Sequence, residues 1–394
     1  MADPSPTDYP RLPAPKVHPY PAWCPRFWHG LRFTEWLKLA ASHQFRISPS
    51  RWPMAVGITG VSSICSGLSL IQWLWWSKKI SETPITQPPV FILGHWRSGT
   101  TLLHEYLCLD EQFGYPTTYQ CFAPRHFLVS DWFVAPYMQF LVPEKRPMDN
   151  MDAGWDKPQE EEFALLTMAA PTPYLRMAFP NDPPPHMDLL DLVDVAPIEL
   201  ERFKNALLYF VKALTLRSNK RIMMKSPPHT GRIGLLAKLF PGAKFIHITR
   251  NPLEIYPSTV RLWQSLDTVQ GLQAPKHHGL EEYVFQCFER MYHGFDAQVE
   301  SVPAANLFQI RYEDLVASPV EEIAKIYDRL DLGDFESLRG KLETTVKQNK
   351  DYQRNKHHSL PPILVSEIRR RWSGYIERYG YAGEFDGVSK VGAA

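Results

Sequence analysis

Cysteine is scarce in this chain, and its few cysteines form no recognisable pattern. There are five among 394 residues, which is an odd number, and no two are spaced as Cys-x-x-Cys. These features argue against a disulfide framework and against a zinc site, and they predict a protein of a reducing compartment, the cytoplasm. The cysteines are Cys24, Cys65, Cys108, Cys121 and Cys287.

An excess of charge of one sign is also lacking. The 43 Lys and Arg residues almost balance the 42 Asp and Glu residues, so the formal net charge is only +1. A chain without a basic excess has no overall field that attracts nucleic acid, and nucleic acid is therefore not an expected partner. No internal repeat is visible. Proline is abundant instead, with 36 residues, which predicts long irregular connections between elements.

The segment from Val90 to Thr101 predicts a strand that leads into a phosphate-binding loop. Four apolar residues precede Gly-His-Trp-Arg-Ser-Gly-Thr-Thr, and a helical pattern follows. Gly94 and Gly99 have the spacing of the nucleotide loop G-x-x-x-x-G-K-[ST], whose backbone amides surround a phosphate at a helix N-terminus. The lysine of that motif is missing, because Thr100 occupies its place and the cation Arg97 lies three residues earlier. Such a loop suits an anion that binds without a metal.

A second strand, turn and helix are predicted between Ala243 and Trp263. The strand-like run 244–249 ends at Arg250, and Asn251 followed by proline is typical of a helix start. Ser258 lies about two helical turns beyond this cap. We therefore expect an arginine at a strand tip and a serine on the next helix to converge on one anion.

A third segment, Ala305 to Pro319, is another strand-like run, and it ends in Arg-Tyr-Glu-Asp-Leu. With these three segments in this order, the chain resembles the sulfotransferases that use 3′-phosphoadenosine 5′-phosphosulfate (PAPS). Their donor loop reads [KR]-S-G-T-[TS], and a similar Tyr-Glu-Asp-Leu ends a central strand. The resemblance implies PAPS as donor, 3′,5′-ADP as product and no metal. The donor contacts that it implies are Arg97, Ser98, Gly99, Thr100, Thr101, Arg250 and Ser258.

The residues expected to catalyse the transfer follow from the charge that develops in it. Arg97 in the loop and Lys225 at another strand tip can stabilise that charge. A general base is needed if the acceptor is an alcohol. The candidates are His229 and the acidic cluster 160–162, of which we single out Glu161. Alternatives remain open, since the histidine could cap a helix and the cluster could be a solvated helix start.

The alternation of strands and helices after residue 88 predicts an α/β fold, a P-loop-like doubly wound parallel sheet flanked by helices. We assign residues 88–385 to the catalytic domain and residues 1–87 to an N-terminal arm with an apolar helical extension. Such sheets bind ligands beyond the carboxyl ends of their strands, where Gly94, Lys225, Arg250 and Arg311 are expected. The acids beside Arg311 are expected to hold backbone amides or arginines at the edge of the site. The basic segment 350–358 is a candidate lid over the nucleotide.

Residues 54–76 are the most apolar stretch of the chain. No charged residue occurs between Arg51 and Lys78, and the tryptophans near the end of the stretch are typical of a membrane interface. Two structures are compatible with this pattern, a membrane-embedded or monotopic segment and a buried helical hairpin that covers the catalytic domain. In the first case the cytoplasmic protein would be membrane-associated.

These observations predict an enzyme, a PAPS-dependent sulfotransferase. It would transfer a sulfuryl group by in-line displacement to a hydroxyl or amine of a small-molecule, lipid or glycan acceptor. A P-loop kinase is one alternative, although it would need the missing loop lysine and magnesium. A non-catalytic, membrane-associated nucleotide-binding adaptor is the other, and it would retain the loop without turnover. The sequence predicts no oligomeric state.

Overall fold

The computed structural model describes residues 9–13, 20–21, 23–146, 151–348 and 360–386. Within them lies a five-stranded sheet whose neighbouring strands all run parallel, in the order β2, β3, β1, β4, β5. The strands are β1 (Val90–Leu93), β2 (Phe113–Gly114), β3 (Arg221–Lys225), β4 (Lys244–Thr249) and β5 (Leu307–Arg311).

Helices connect the strands and precede and follow the sheet. Before the sheet are α1 (Phe33–Ser42) and α2 (Trp52–Glu82). Between β1 and β3 are α3 (Thr100–Leu107), α4 (Thr118–Phe122), α5 (Phe127–Tyr137), α6 (Glu161–Thr167) and α7 (Pro197–Ser218). Between β3 and β5 are α8 (Ile233–Leu239), α9 (Pro252–Gln270) and α10 (Leu280–Gln298). After β5 are α11 (Tyr312–Ala317), α12 (Pro319–Leu330), α13 (Glu336–Gln348), α14 (Pro362–Arg371) and α15 (Ser373–Arg378).

The sheet separates two apolar cores. Successive side chains of a strand point to opposite faces, and β1 is buried on both. Val90 and Ile92 pack with apolar residues of α3, α12 and α13. Phe91 and Leu93 belong to a larger core that includes residues of α7, α9, α10 and the N-terminal segment. The predicted parallel α/β sheet flanked by helices is confirmed.

The order of the strands fixes where a ligand can bind. β1 is hydrogen-bonded to β3 on one side and to β4 on the other. The connection after β1 leads toward β2, and the connection after β4 leads toward β5 at the opposite edge. A crevice therefore opens between the carboxyl ends of β1 and β4, which is where doubly wound sheets bind ligands.

Residues 54–76 lie within α2, a single continuous helix of 31 residues. Of the two structures considered for this stretch, the buried helical hairpin is therefore wrong. One stripe of the helix is buried against the rest of the protein, while much of the opposite side is exposed. The N-terminal arm contributes to the same large apolar core as the sheet, through residues such as Trp28 and Trp36. The division of the chain at residue 87 remains a prediction.

Candidate active site

A cavity of about 1030 Å³ lies at the carboxyl ends of the strands. Residues of the loop after β1, the tip of β4 and the loop before α6 line it. Arg97 and Arg250, predicted to bind opposite ends of one nucleotide, are both on its wall. The basic segment 350–358, proposed as a lid, lies outside the described residues. The predicted donor residues on the wall are Arg97, Gly99, Thr100, Thr101 and Arg250.

The loop after β1 adopts a backbone conformation that its glycines make accessible. Gly94 has a φ of +141° and Gly99 a φ of +103°. A Cβ on Gly99 would lie 2.3 Å from Cδ2 of Tyr312, so a side chain cannot enter there without a shift. Gly99 caps the N-terminus of α3, where free backbone amides favour an anion. Ser98 Oγ is buried and has no hydrogen-bond partner among the described residues, so it can serve a bound oxyanion.

The two arginines implied as donor contacts lie close together. The Nε of Arg97 donates a 2.9 Å hydrogen bond to Ser258 Oγ. Nη1 of Arg250 donates to the carbonyl oxygen of Arg97 at 3.0 Å, and its guanidinium lies 4.3 Å from the ring centre of Tyr312. Burial lowers the pKa of Arg250 from its usual value, and Tyr312 and Glu254 partly oppose this shift. An anion beside this arginine would therefore be stabilising.

Residues that do not line the cavity hold the carboxyl end of β4 in place. The backbone amide of Arg250 donates to Tyr375 Oη at 2.9 Å. The amide of Asn251 donates to a carboxylate oxygen of Glu313 at 3.0 Å, and Tyr381 donates to the other oxygen at 3.0 Å. The expectation that an acid of the Tyr-Glu-Asp-Leu segment holds a backbone amide is confirmed for Glu313.

A chain of hydrogen bonds leads from the cavity wall into the core. Glu160 lines the cavity and is only 9% exposed. Its Oε1 accepts from Lys225 Nζ at 2.5 Å, and its Oε2 accepts from Tyr174 Oη at 2.5 Å. The indole Nε1 of Trp96 donates in turn to Tyr174 Oη at 2.8 Å. Burial raises the pKa of Tyr174 well above its usual value, and the charge of Glu160 adds to the shift. The glutamate is therefore held in one orientation by two donors.

The other two glutamates of the cluster point away from the cavity. Glu161 accepts from the backbone amide of Lys225 at 3.0 Å, and its Oε1 lies 3.1 Å from Nε2 of His229. Glu162 is paired with Arg232 at 3.0 Å. Burial tends to raise the pKa of Glu162, but Arg232 and His229 outweigh it and the pKa is lowered.

All three glutamates are buried, so the alternative of a solvated helix start is wrong. His229 and Glu161 are fully buried and are not part of the cavity wall. Glu161 contacts the strand that carries Lys225 through the Lys225 backbone amide, and His229 contacts Glu161. The residue that sequence reasoning missed is Glu160, which was named only as a member of the acidic run. Successive residues at the start of a helix point in different directions, and the sequence alone does not show which of the three glutamates faces the cavity.

The cavity also has a wide, mixed rim. Tyr115 lies on it, whereas Trp132 is 69% exposed on the outer surface. His95, adjacent to the loop, is fully buried and bonds the Trp96 carbonyl through Nδ1. Among the residues that the structure describes, no group of three or more His, Cys, Asp or Glu side chains could hold a metal ion.

Comparison with known proteins gives consistent results at the sequence level. A sequence model of the sulfotransferase family matches residues 88–337. The chain is 41% identical over 359 residues to the omega-hydroxy-beta-dihydromenaquinone-9 sulfotransferase Stf3 of Mycobacterium bovis, and the match covers 91% of this chain and 92% of that protein. The protein of the same name from Mycobacterium tuberculosis matches equally well.

Two crystal structures share the fold. Sulfotransferase STF1 of Mycobacterium tuberculosis aligns with a TM-score of 0.61 and 19% identity, covering 87% of this chain and 92% of that one. Sulfotransferase STF9 of Mycobacterium avium aligns with a TM-score of 0.61 and 14% identity, covering 84% and 86%. The family match spans most of the sheet and its loops, and the sequence identity to a curated relative extends over nearly the whole chain. This chain therefore belongs to the sulfotransferase family, whose members transfer sulfuryl groups.

Proposed function

We propose that this chain transfers the sulfuryl group of PAPS to the hydroxyl group of a lipid acceptor and releases 3′,5′-ADP. The observation that carries the proposal is the placement of Arg97 and Arg250 on one cavity, connected through Ser258 and the Arg97 carbonyl. PAPS carries negative charge at both its 5′ and 3′ ends. Two guanidinium groups in one crevice suit such a donor better than they suit a nucleotide without a 3′-phosphate.

The donor would bind across the crevice. The amides at the start of α3, with Ser98, Thr100 and Thr101, would hold the 5′-phosphosulfate, because a helix N-terminus attracts anions. Arg250 and Ser258 would hold the 3′-phosphate. Arg97 would lie between the 5′-phosphosulfate and the 3′-phosphate, and it would neutralise charge on the oxygen that bridges phosphorus and sulfur.

The chemical step is a displacement at sulfur. The acceptor oxygen forms a bond to sulfur while the bond between sulfur and the bridging phosphate oxygen breaks, and the electron pair of that bond leaves with 3′,5′-ADP. Arg97 and Lys225 would stabilise the negative charge on the leaving oxygen. The proton of the acceptor hydroxyl would pass to Glu160, the cavity-wall glutamate that accepts a hydrogen bond from Lys225. Glu161 and His229 would support the strand that positions Lys225.

The acceptor class follows from the relative and from the cavity. Stf3 is named for an omega-hydroxylated dihydromenaquinone, a lipid that carries its hydroxyl at the chain end. The apolar part of the cavity is lined by Tyr106, Leu109, Tyr115, Leu262 and Val346. Such a surface suits a hydrocarbon chain next to the reacting hydroxyl.

Nucleotide binding tests the donor assignment. Isothermal titration in the presence of a metal chelator is expected to show tighter binding of 3′,5′-ADP than of ADP. Arg250→Ala should weaken binding of 3′,5′-ADP by at least about tenfold and leave ADP nearly unaffected, because a charged hydrogen bond contributes ~1.5–3 kcal/mol. Arg329→Ala, an exposed arginine of α12, is the matched control. Equal affinity of the wild type for the two nucleotides would overturn the assignment of the 3′-phosphate site.

Turnover tests the rest of the proposal. Incubation with PAPS and an omega-hydroxylated lipid quinone is expected to give a product heavier by one SO₃ group. Phosphate transfer from ATP that requires magnesium would identify a kinase instead. Tight binding of 3′,5′-ADP without turnover of any alcohol acceptor would favour an adaptor.

A further inference from the structure

The exposed side of α2 is apolar, whereas its buried side contains polar residues. Its buried stripe includes the polar residues Ser62, Ser69 and Gln72, although a surface helix normally buries apolar residues and exposes charged ones. No charged residue occurs from Trp52 to Ser77, and the mean hydropathy within this helix reaches 1.7 over 18 residues. The large apolar residues exposed on this helix are Trp52, Val56, Ile64, Leu70, Ile71, Trp73, Leu74 and Trp75.

The helix is attached to the protein along its length and cannot cross a bilayer in this arrangement. Buried positions recur from Ala55 to Ile80, which is roughly 38 Å of helix at ~1.5 Å per residue. Along this stripe α2 packs on α1, α5 and α7. A helix docked in this way can only lie in the plane of a membrane surface, with its free side in the acyl region.

A second exposed aromatic group extends this surface. α5 begins against α2, since the amide of Leu128 donates to Oε1 of Gln72 at 2.9 Å. The segment that follows leads to Lys145 and Arg146, which line the rim of the active-site cavity. We define the docking surface as the exposed apolar residues of α2 together with those of α5 and the turn after it, which are Trp132, Phe133, Tyr137 and Phe140.

A small cationic cleft of about 280 Å³ opens beside the docking surface. Arg32 and Arg125 line it, and they share a single carboxylate, Glu35, at 2.6 and 3.6 Å. Ser69 is 7% exposed and lines the cleft, and its Oγ has no hydrogen-bond partner among the described residues. The Nε of Arg125 is likewise buried without an acceptor within the described part of the chain. The cleft therefore offers donors and net positive charge to an oxyanion.

These features together select one partner. We propose that the docking surface binds the anionic leaflet of a lipid bilayer, with the Arg32–Arg125 cleft holding a phospholipid phosphate. The tryptophans beside Lys78 and Lys79 match the headgroup region, where amphipathic rings and cations are favoured. A second copy of this chain is disfavoured as the partner because α2 offers no carboxylate to these cations before Glu82. Docking would bring the rim of the cavity close to the membrane. A role of this placement in acceptor binding rests on the proposed function with its lipid acceptor.

Vesicle flotation of the full chain tests the proposal. Wild-type protein is expected to float with vesicles of phosphatidylglycerol and phosphatidylcholine, and less with phosphatidylcholine alone. The triple substitution Leu70→Gln, Leu74→Gln and Trp75→Gln should lower partitioning by roughly a hundredfold or more, because each buried apolar side chain contributes roughly tenfold. The matched control is Ile198→Gln with Ile363→Gln, two exposed apolar residues that belong to neither α2 nor α5.

A separate substitution tests the Arg32–Arg125 cleft. Arg125→Gln should lower partitioning into the anionic vesicles more than into phosphatidylcholine vesicles, whose phosphate is accompanied by the positive charge of choline, while Arg125→Lys should retain most of the binding. Affinity for 3′,5′-ADP, measured on each variant, shows that it is folded and separates this proposal from the proposed function. Failure of the wild type to float, or equal flotation of the triple variant, would overturn the proposal. So would a dimer in light scattering that the triple substitution dissociates without any vesicle binding.

Discussion

Replacing Glu160 by glutamine tests the acidic side chain of the cavity wall that is hydrogen-bonded to Lys225. The amide keeps the shape of the side chain and its hydrogen bond from Tyr174, but it cannot take a proton. Loss of a positioned general base is expected to lower kcat by ~10²–10⁴. Affinity for 3′,5′-ADP should change little, because Glu160 lies on the acceptor side of the proposed site. The measurement is kcat and KM with saturating PAPS, together with nucleotide titration.

The same substitution has a calculable effect on stability. Lys225 is 2% exposed, and its ammonium donates to Glu160 at 2.5 Å. Breaking a buried pair by removing one partner costs ~3–5 kcal/mol. For a chain of this length the melting temperature should fall by about 5 °C, given an unfolding entropy of ~2.1 cal/mol/K per residue. The double variant Glu160→Gln with Lys225→Met should recover much of the stability and none of the activity.

Two results would refute the assignment of Glu160. One is a kcat of Glu160→Gln within about threefold of the wild type, compared at a temperature where both are folded. The other is a normal Glu160→Gln enzyme alongside an inactive Glu161→Gln enzyme, which would return the base to the residue singled out from the sequence. A drop in melting temperature without a drop in kcat would identify the Lys225 pair as structural.

Two further predictions concern the loop and the response to acid. Gly99→Ala should weaken binding of 3′,5′-ADP by about tenfold or more. Its positive φ and the ring of Tyr312 both oppose a Cβ, and strain of this kind costs ~1–3 kcal/mol. A titration that matches the wild type would contradict this prediction. Burial lowers the pKa of His95 and of His104 to about 3, with the charge of Lys225 as a second cause for His104. Below the ordinary His pKa of about 6.5 the unfolded chain binds protons that the folded chain does not, so the free energy of unfolding should decrease from about pH 6.5 toward pH 3. Urea unfolding across this range measures the slope, and replacing both histidines by asparagine should reduce it.

Much of the site could be predicted because its parts are local. A buried strand followed by glycines, or by Asn-Pro, indicates both the strand end and the helix start, and this places Arg97 and Arg250 at the same edge of a parallel sheet. The close approach of the two arginines was not predictable in detail, since it depends on β1 and β4 being neighbours. The sheet order itself is weakly encoded, because β2 is two residues long and carries no distinctive pattern.

Two errors have physical explanations. Glu160 and Glu161 differ by one position at a helix start, and the ~100° between successive residues of a helix decides which of them faces the cavity. The buried helical hairpin, one of the two structures considered for residues 54–76, is the other error. The segment is one helix because a stripe from Ala55 to Ile80 packs on the protein, and this packing outweighs the low helix propensity of its glycines and serines.

The position of Trp28 has a consequence for how the protein is made. Its ring is fully buried, and its Nε1 donates to the carbonyl of Gln270, 242 residues later in the chain. At a synthesis rate of roughly 5–20 residues per second, the N-terminal segment emerges from the ribosome roughly 10–50 s before that partner exists. During this interval the arm and the apolar α2 have no sheet to cover them. The N-terminal arm and α2 therefore stay without their native packing partners until α9 has been synthesised.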